Sequence, residues 1–195
     1  MVLNFPHKNN GSKFAISTFA TRNINLFIAN LETVFGEGKE AAERTCKLLE
    51  ALLNTLTKVF KHDSVGFVTP ERFELLSAPL TDLLDNEVGG VILYKRRVRA
   101  HLTPCLTQLA VAGGDDSLWR GLACQVLQRL KAEDRPQVVL GALEVFQSLV
   151  ETPRGLPEAT LADAIPPISE VLESTNQEVV QSTELLSITV DNLLN

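Results

Sequence analysis

Arg97-Val98-Arg99-Ala100, Gln137-Val138-Val139-Leu140 and Glu178-Val179-Val180-Gln181 place a valine near the start of three predicted helices, at spacings of 40 and 41 residues. A second echo lies in the helices that precede two of them. Pro79-Leu80-Thr81-Asp82-Leu83-Leu84-Asp85 matches Pro167-Ile168-Ser169-Glu170-Val171-Leu172-Glu173 in residue type at every position, 88 residues further on. That distance is two repeats plus a short insertion. A two-helix unit of about 40 residues cannot bury its apolar faces alone, so such units stack. The spacing therefore predicts an all-α chain.

Period and helix content together are those of a HEAT-like α-solenoid of about four antiparallel helix pairs. Solenoids present long surfaces to partners, which makes scaffolding the first functional expectation. Residues 1–12 end in Lys8-Asn9-Asn10-Gly11-Ser12 and read as a flexible N-terminal segment, leaving 13–195 as the repeat domain. Apolar residues recur at helical spacing from Phe14 to Phe35, with a break near Thr21-Arg22-Asn23, and Gly36-Glu37-Gly38 stops that helix. From Lys39 to about Lys61, Cys46, Leu49, Leu52, Leu53, Leu56, Val59 and Phe60 fall at three- and four-residue steps.

Thr69-Pro70-Glu71 opens the next helix: threonine caps, proline takes the first turn and glutamate suits the positive dipole end. It runs to about Leu84, with Pro79 inside. A helix follows over about 92–112, with an internal Pro104 and a Gly113-Gly114 stop. Asp115 or Asp116 caps a helix over about 117–132, and Asp134-Arg135-Pro136 caps and opens one ending near Glu151. The last two cover about 158–173, interrupted by Pro166-Pro167, and about 177–194. Short connectors predict that sequential helices are spatial neighbours. Leu83, Leu84, Leu106, Leu127, Leu143, Leu172 and Leu186 are the expected core between pairs.

Composition narrows the function classes. The 195 residues are 45% hydrophobic and 22% charged, as in an ordered globular chain. The net charge of −6 argues against the whole surface being a nucleic-acid footprint. Cys46, Cys105 and Cys124 are odd in number and lack a Cys-x-x-Cys, which reads as buried free thiols in a cytosolic or nuclear protein. No 18-residue apolar run marks a transmembrane helix, and the N-terminus lacks a signal-peptide core.

Catalytic motifs are wanting. HEAT-like metal hydroxylases repeat His-Glu pairs, whereas the three histidines here stand as His7-Lys8, His62-Asp63 and His101-Leu102. There is no phosphate loop and no nucleophile elbow. Cys105 lies four residues after His101 on a shared helical face, but a core cysteine beside an edge histidine is the simpler reading. We therefore assign no catalytic, cofactor-binding or metal-ligating residue, no cofactor and no small-molecule substrate. Two places are candidates for partner contact. Lys95, Arg96 and Arg99 flank an inward Val98 and could meet phosphate or an acidic partner; the plainer alternative is a solvated face paired with Asp82, Asp85 or Glu87. Trp119, in Asp115-Asp116-Ser117-Leu118-Trp119, is either an inter-repeat packing residue or a partner hot spot.

Several strings carry a family resemblance. Lys47–Asp63, Leu80-Thr81-Asp82-Leu83-Leu84-Asp85-Asn86, Arg97-Val98-Arg99-Ala100-His101-Leu102-Thr103-Pro104-Cys105-Leu106 and Asp115-Asp116-Ser117-Leu118-Trp119 resemble the C-terminal domain of the large nucleolar HEAT-repeat proteins of the small-subunit processome, associated with the U-three small nucleolar RNA. His-Leu-x-Pro-Cys and Asp-Asp-Ser-Leu-Trp are the most specific, and the resemblance covers about 35–195. It implies a non-enzymatic scaffold in pre-ribosomal RNA processing and ribosomal DNA transcription, located in the nucleus and nucleolus. Its implied partners are other processome proteins, with weak or indirect contact to pre-ribosomal or small nucleolar RNA and none to membrane. The family's proteins are about ten times longer. A generic HEAT adaptor of transport or phosphatase assemblies is the alternative, and a helical metalloenzyme a more distant one.

Overall fold

The computed structural model describes residues 39–194, Val65 excepted. The expected flexible segment 1–12 and the helix over 14–35 lie outside these residues. Among the described residues there are helices and no strand. In chain order they are α1 (Lys39–Lys61), α2 (Pro70–Asp82), α3 (Gly90–Arg97), a π-helical turn (Val98–Leu102), α4 (Thr103–Gly113), α5 (Asp116–Gln128) with a 3-10 turn (Arg129–Lys131), α6 (Pro136–Val150), α7 (Glu158–Val171) and α8 (Gln177–Leu194). Segments α3, π turn and α4 run on without a break as one rod.

The helix ends are set by local chemistry. Thr69 Oγ1 accepts from the Arg72 amide at 3.3 Å, and Pro70 fills the first turn. Asp115 Oδ1 accepts from the Ser117 and Leu118 amides, and Asn176 Oδ1 from those of Glu178 and Val179. Gly114, at φ 64°, ends α4 in the left-handed conformation that only glycine adopts without penalty. Asp134 does not cap α6; Arg135 stands at that position without a side-chain bond, and Pro136 alone makes the start.

Pro104 produces a π turn. In an α-helical register its ring would meet the Ala100 carbonyl, and it has no N–H to offer. The backbone widens instead, and the Thr103 amide donates to Val98 O, five residues back.

Two layers result. One holds α2, α5 and α7; the other holds α1, α4, α6 and α8, each packed on the next. Across the layers α2 packs on α4, α5 on α6 and α7 on α8, so each pair is a first helix and the second helix that follows it. Consecutive helices at repeat boundaries, α1 to α2 and α6 to α7, pack little on each other, against the expectation that all sequential helices are neighbours. The interleaved layers make the next-but-one helix the main contact instead.

Val98, Val138 and Val179 are all buried, as their common repeat position requires. Leu83, Leu84, Leu106, Leu127, Leu143 and Leu186 are buried too, but Leu172 is 37% exposed. Its counterpart at the 88-residue echo, Leu84, lies in an inner repeat with helices on both sides; Leu172 belongs to the last described repeat, which has a neighbour on one side.

The side-chain bonds that tie separate helices together join residues of similar separation. Thr107–Ser148, Arg120–Asp163, Gln125–Ser77 and Arg129–Asp85 are 41, 43, 48 and 44 residues apart, or one repeat. Lys95–Glu178 departs from this, at 83 residues.

Candidate partner-binding surface

The basic cluster takes its geometry from the residues that α3 buries. Gly89 precedes α3 at φ 86°, and a Cβ there would lie 2.8 Å from Cys46 Sγ, so glycine lets the turn close on α1. Tyr94, Arg97 and Val98, at i, i+3 and i+4, then face inward. Tyr94 Oη donates to Leu84 O at 2.8 Å. Arg97 is fully buried: its Nη1 donates to Val88 O at 3.1 Å and lies 3.4 Å from Cys46 Sγ, while Nη2 donates to Asn86 O. Burial holds this guanidinium below its ordinary range. Of the four cations in Lys95-Arg96-Arg97-Val98-Arg99, one is thus a structural brace and three stay outside.

The three outer cations do not form a free positive patch. Lys95 Nζ meets Glu178 Oε1 at 2.6 Å, Arg96 Nη2 meets Glu50 Oε2 at 3.5 Å, and Arg99 Nε meets Glu144 Oε1 at 3.7 Å. His101 extends the row, with Nδ1 2.9 Å from Asn54 Oδ1 and Nε2 3.9 Å from Glu50 Oε2. The result is a ladder from α1 across the α3 rod to α6 and α8, its three cations matched by three carboxylates. Burial raises the Glu144 carboxyl above its ordinary range, with Arg99 opposing. Exposed pairs of this kind contribute about 0–1 kcal/mol each and weaken in salt. A groove of about 380 Å³ runs among Lys95, Arg99, Gln137, Glu144, Gln147 and Glu178.

The anticipated pairing of this cluster with Asp82 or Asp85 is corrected. Those acids sit at the end of α2 and bind Arg129 at 2.5 and 3.2 Å, and Asp85 also binds Arg135 at 2.7 Å. The inward turn of Tyr94 and Arg97 swings the outer flank of α3 away from α2 and onto the second-helix layer. Sequence reasoning missed Glu50, Glu144 and Glu178. Their distances along the chain hide them, and only the repeat alignment places their helices beside α3.

Trp119 lies apart from this cluster, on α5. It is 1% exposed and closed off by Arg154, whose guanidinium lies 6.0 Å from the ring centroid. Arg154 is itself held by Asp116 at 2.8 Å and by Gly114 O. The indole packs a seam between repeats.

No nucleophile pair forms at Cys105. Its thiol is buried and pushed up to about 12 by that burial, while His101 turns outward to Asn54 and Glu50. Asp63, next to His62, spends its oxygens on the Phe67 and Val68 amides at 2.6 and 2.8 Å. His7 lies outside the described residues. Among the described residues no group of three His, Cys, Asp or Glu could hold a metal, and no helix is long and apolar enough to cross a membrane. Cys46 and Cys105 are buried, but Cys124 is exposed on α5, contrary to the expectation of three buried thiols.

No model of a known protein family matches the chain. Individual proteins do. HEAT repeat-containing protein 1 of Homo sapiens is 34% identical over 84% of this chain, and its Macaca fascicularis counterpart 35% identical over 84%. U3 small nucleolar RNA-associated protein 10 of Aspergillus fumigatus is 24% identical over 92%. The chain spans 8%, 17% and 10% of the lengths of these three relatives. The stacked two-helix repeats and these identities agree: the chain belongs to the HEAT repeat-containing protein 1 family.

Proposed function

We propose that this chain is a non-enzymatic, protein-binding scaffold module of a small-subunit processome, acting in pre-ribosomal RNA processing and ribosomal DNA transcription in the nucleolus. The observation that carries the reading is the alignment of 92% of the chain with a relative named for association with U3 small nucleolar RNA. The other named relatives take their names from the repeat and not from a reaction. Its partners are other processome proteins. They meet the ladder face of the second-helix layer, where Lys95, Arg96 and Arg99 are the contact residues. RNA phosphate would have to displace Glu50, Glu144 and Glu178 there, so any RNA contact is weak, insensitive to sequence and lost in salt.

The test is co-purification of the full chain from nuclear extract, alone and as a fold-checked Lys95→Glu, Arg96→Glu, Arg99→Glu variant. Processome proteins with the native chain, and their loss with the variant, are expected. Recovery of transport or phosphatase components in their place overturns the assignment. Unchanged recovery with the variant leaves the ladder as a solvated, internally paired face.

A further inference from the structure

We propose that the groove between the α5–α6 and α7–α8 connectors takes an arginine side chain from a partner polypeptide, held by Glu170 and Glu173. None of the ladder residues takes part, and the functional reading above is not required. The groove, of about 600 Å³, runs along one edge of the stack. Leu130, Val139 and Val171 give it an apolar floor, and Glu133, Glu170 and Glu173 stand on its rim, with Lys131 as the opposing charge. The three glutamates are exposed, and among the described residues none of them pairs with a cation. Both walls belong to repeats already stacked on each other, so no further helix is needed to form the groove.

An internal counterpart names the occupant. Glu170 and Glu173 stand 88 residues after Asp82 and Asp85, at the matching positions of the sequence echo. Neither α2 nor α7 has a basic residue in its last turn, although the carbonyl end of a helix favours a cation. At α2 the cations arrive from around the α5–α6 connector. One guanidinium, that of Arg129, spans both acids, with Nη2 2.5 Å from Asp82 and Nε 3.2 Å from Asp85. Arg135 adds a contact to Asp85 at 2.7 Å. At α7 the acid pair keeps the same three-residue spacing, and among the described residues no arginine reaches it. A planar guanidinium engages two carboxylates at once, whereas an ammonium presents a single point charge. The floor of Leu130, Val139 and Val171 suits an apolar residue beside that arginine in the partner. The ligand is thus an arginine flanked by an aliphatic side chain.

The test uses the full chain, isotope-labelled on its valine methyls, with the end-capped peptide Gly-Leu-Arg-Arg-Leu-Gly as probe. The Val139 and Val171 methyl signals should shift and saturate as peptide is added. Glu170→Gln with Glu173→Gln should raise the Kd about fivefold or more. Glu43→Gln with Glu74→Gln removes the same charge at exposed positions of α1 and α2 and should leave the Kd unchanged. The same peptide with lysine for arginine should bind more weakly. The urea midpoint of the Glu170→Gln, Glu173→Gln chain should hold or rise, since two anions leave a helix carbonyl end. No saturable shift at millimolar peptide, equal weakening by both pairs of substitutions, or equal binding of the lysine peptide overturns the proposal. A lowered midpoint does so too, because it makes the two acids structural. So does a concentration-dependent shift in the chain alone that Glu170→Gln with Glu173→Gln abolishes, because it makes a second copy the donor.

Discussion

Gly141 is the residue on which the approach of α6 to the α3 rod depends, and replacing it tests the packing directly. A Cβ at this position would lie 2.8 Å from Tyr94 Oη, 3.2 Å from Leu84 Cδ2 and 3.4 Å from Val98 Cγ1. Two effects oppose each other in Gly141→Ala. Removing a glycine from a helix interior gains about 1 kcal/mol. Overpacking a closed site costs about 1–3 kcal/mol, and displacing the Tyr94 hydroxyl from the buried Leu84 carbonyl adds about 1–3 kcal/mol. Tyr94 is 1% exposed and hydrogen-bonded, so it has little room to yield. The net expectation is a loss of about 1–5 kcal/mol, or a fall of about 0.5–2.5 M in the urea midpoint at a slope near 2 kcal/mol/M. The assay is urea unfolding followed by circular dichroism. Repeating the substitution in a Tyr94→Phe background removes the oxygen that clashes, so there it should cost at least about 1 kcal/mol less. A raised midpoint in the single variant, or strict additivity of the two changes, refutes the close approach.

Leu127→Ala and Leu143→Ala should each cost about 2–5 kcal/mol in the same assay, and unchanged midpoints would mean that the helix faces are misassigned. The folded-state carboxyl of Glu144 is raised by burial, so the stability linked to its proton is present at acid pH and lost as pH rises through the folded value. Glu144→Gln should therefore stabilise the chain at pH 7, with the gain shrinking away below about pH 4, where Glu144 is protonated in both states; an equal gain at both pH values contradicts this. In the native chain Cys124 alone of the three thiols should react promptly with maleimide, and a second fast-labelling cysteine would place Cys46 or Cys105 wrongly.

Much of the fold is readable because it is written in local chemistry. Thr69-Pro70, Gly113-Gly114 and Asp115 act within four residues of themselves, and a 40-residue period survives in the three valines. What escapes is long-range or depends on context. Arg97 sits among exposed cations in the sequence, and nothing local marks it as the one whose donors find carbonyls of the α2–α3 turn. Trp119 is equally suited by type to a seam or a hot spot, and nothing local announces that Arg154, 35 residues away, lies over its ring. Pro104 announces a disturbed helix, but whether the backbone kinks or widens depends on the packing around it.

The one-repeat length of the cross-helix bonds has a mechanical consequence. A chain pulled by its two ends carries the load through repeats in series, and an end repeat can peel away without disturbing bonds deeper in the stack. Each repeat of about 40 residues so released lengthens the chain by at most ~140 Å. Lys95–Glu178 is the exception, because it fastens the last described repeat to one two periods earlier. An exposed ion pair is a weak fastener. Extension is therefore expected to proceed in repeat-sized steps, giving a spring whose compliance is set by inter-repeat seams such as the one closed by Trp119 and Arg154.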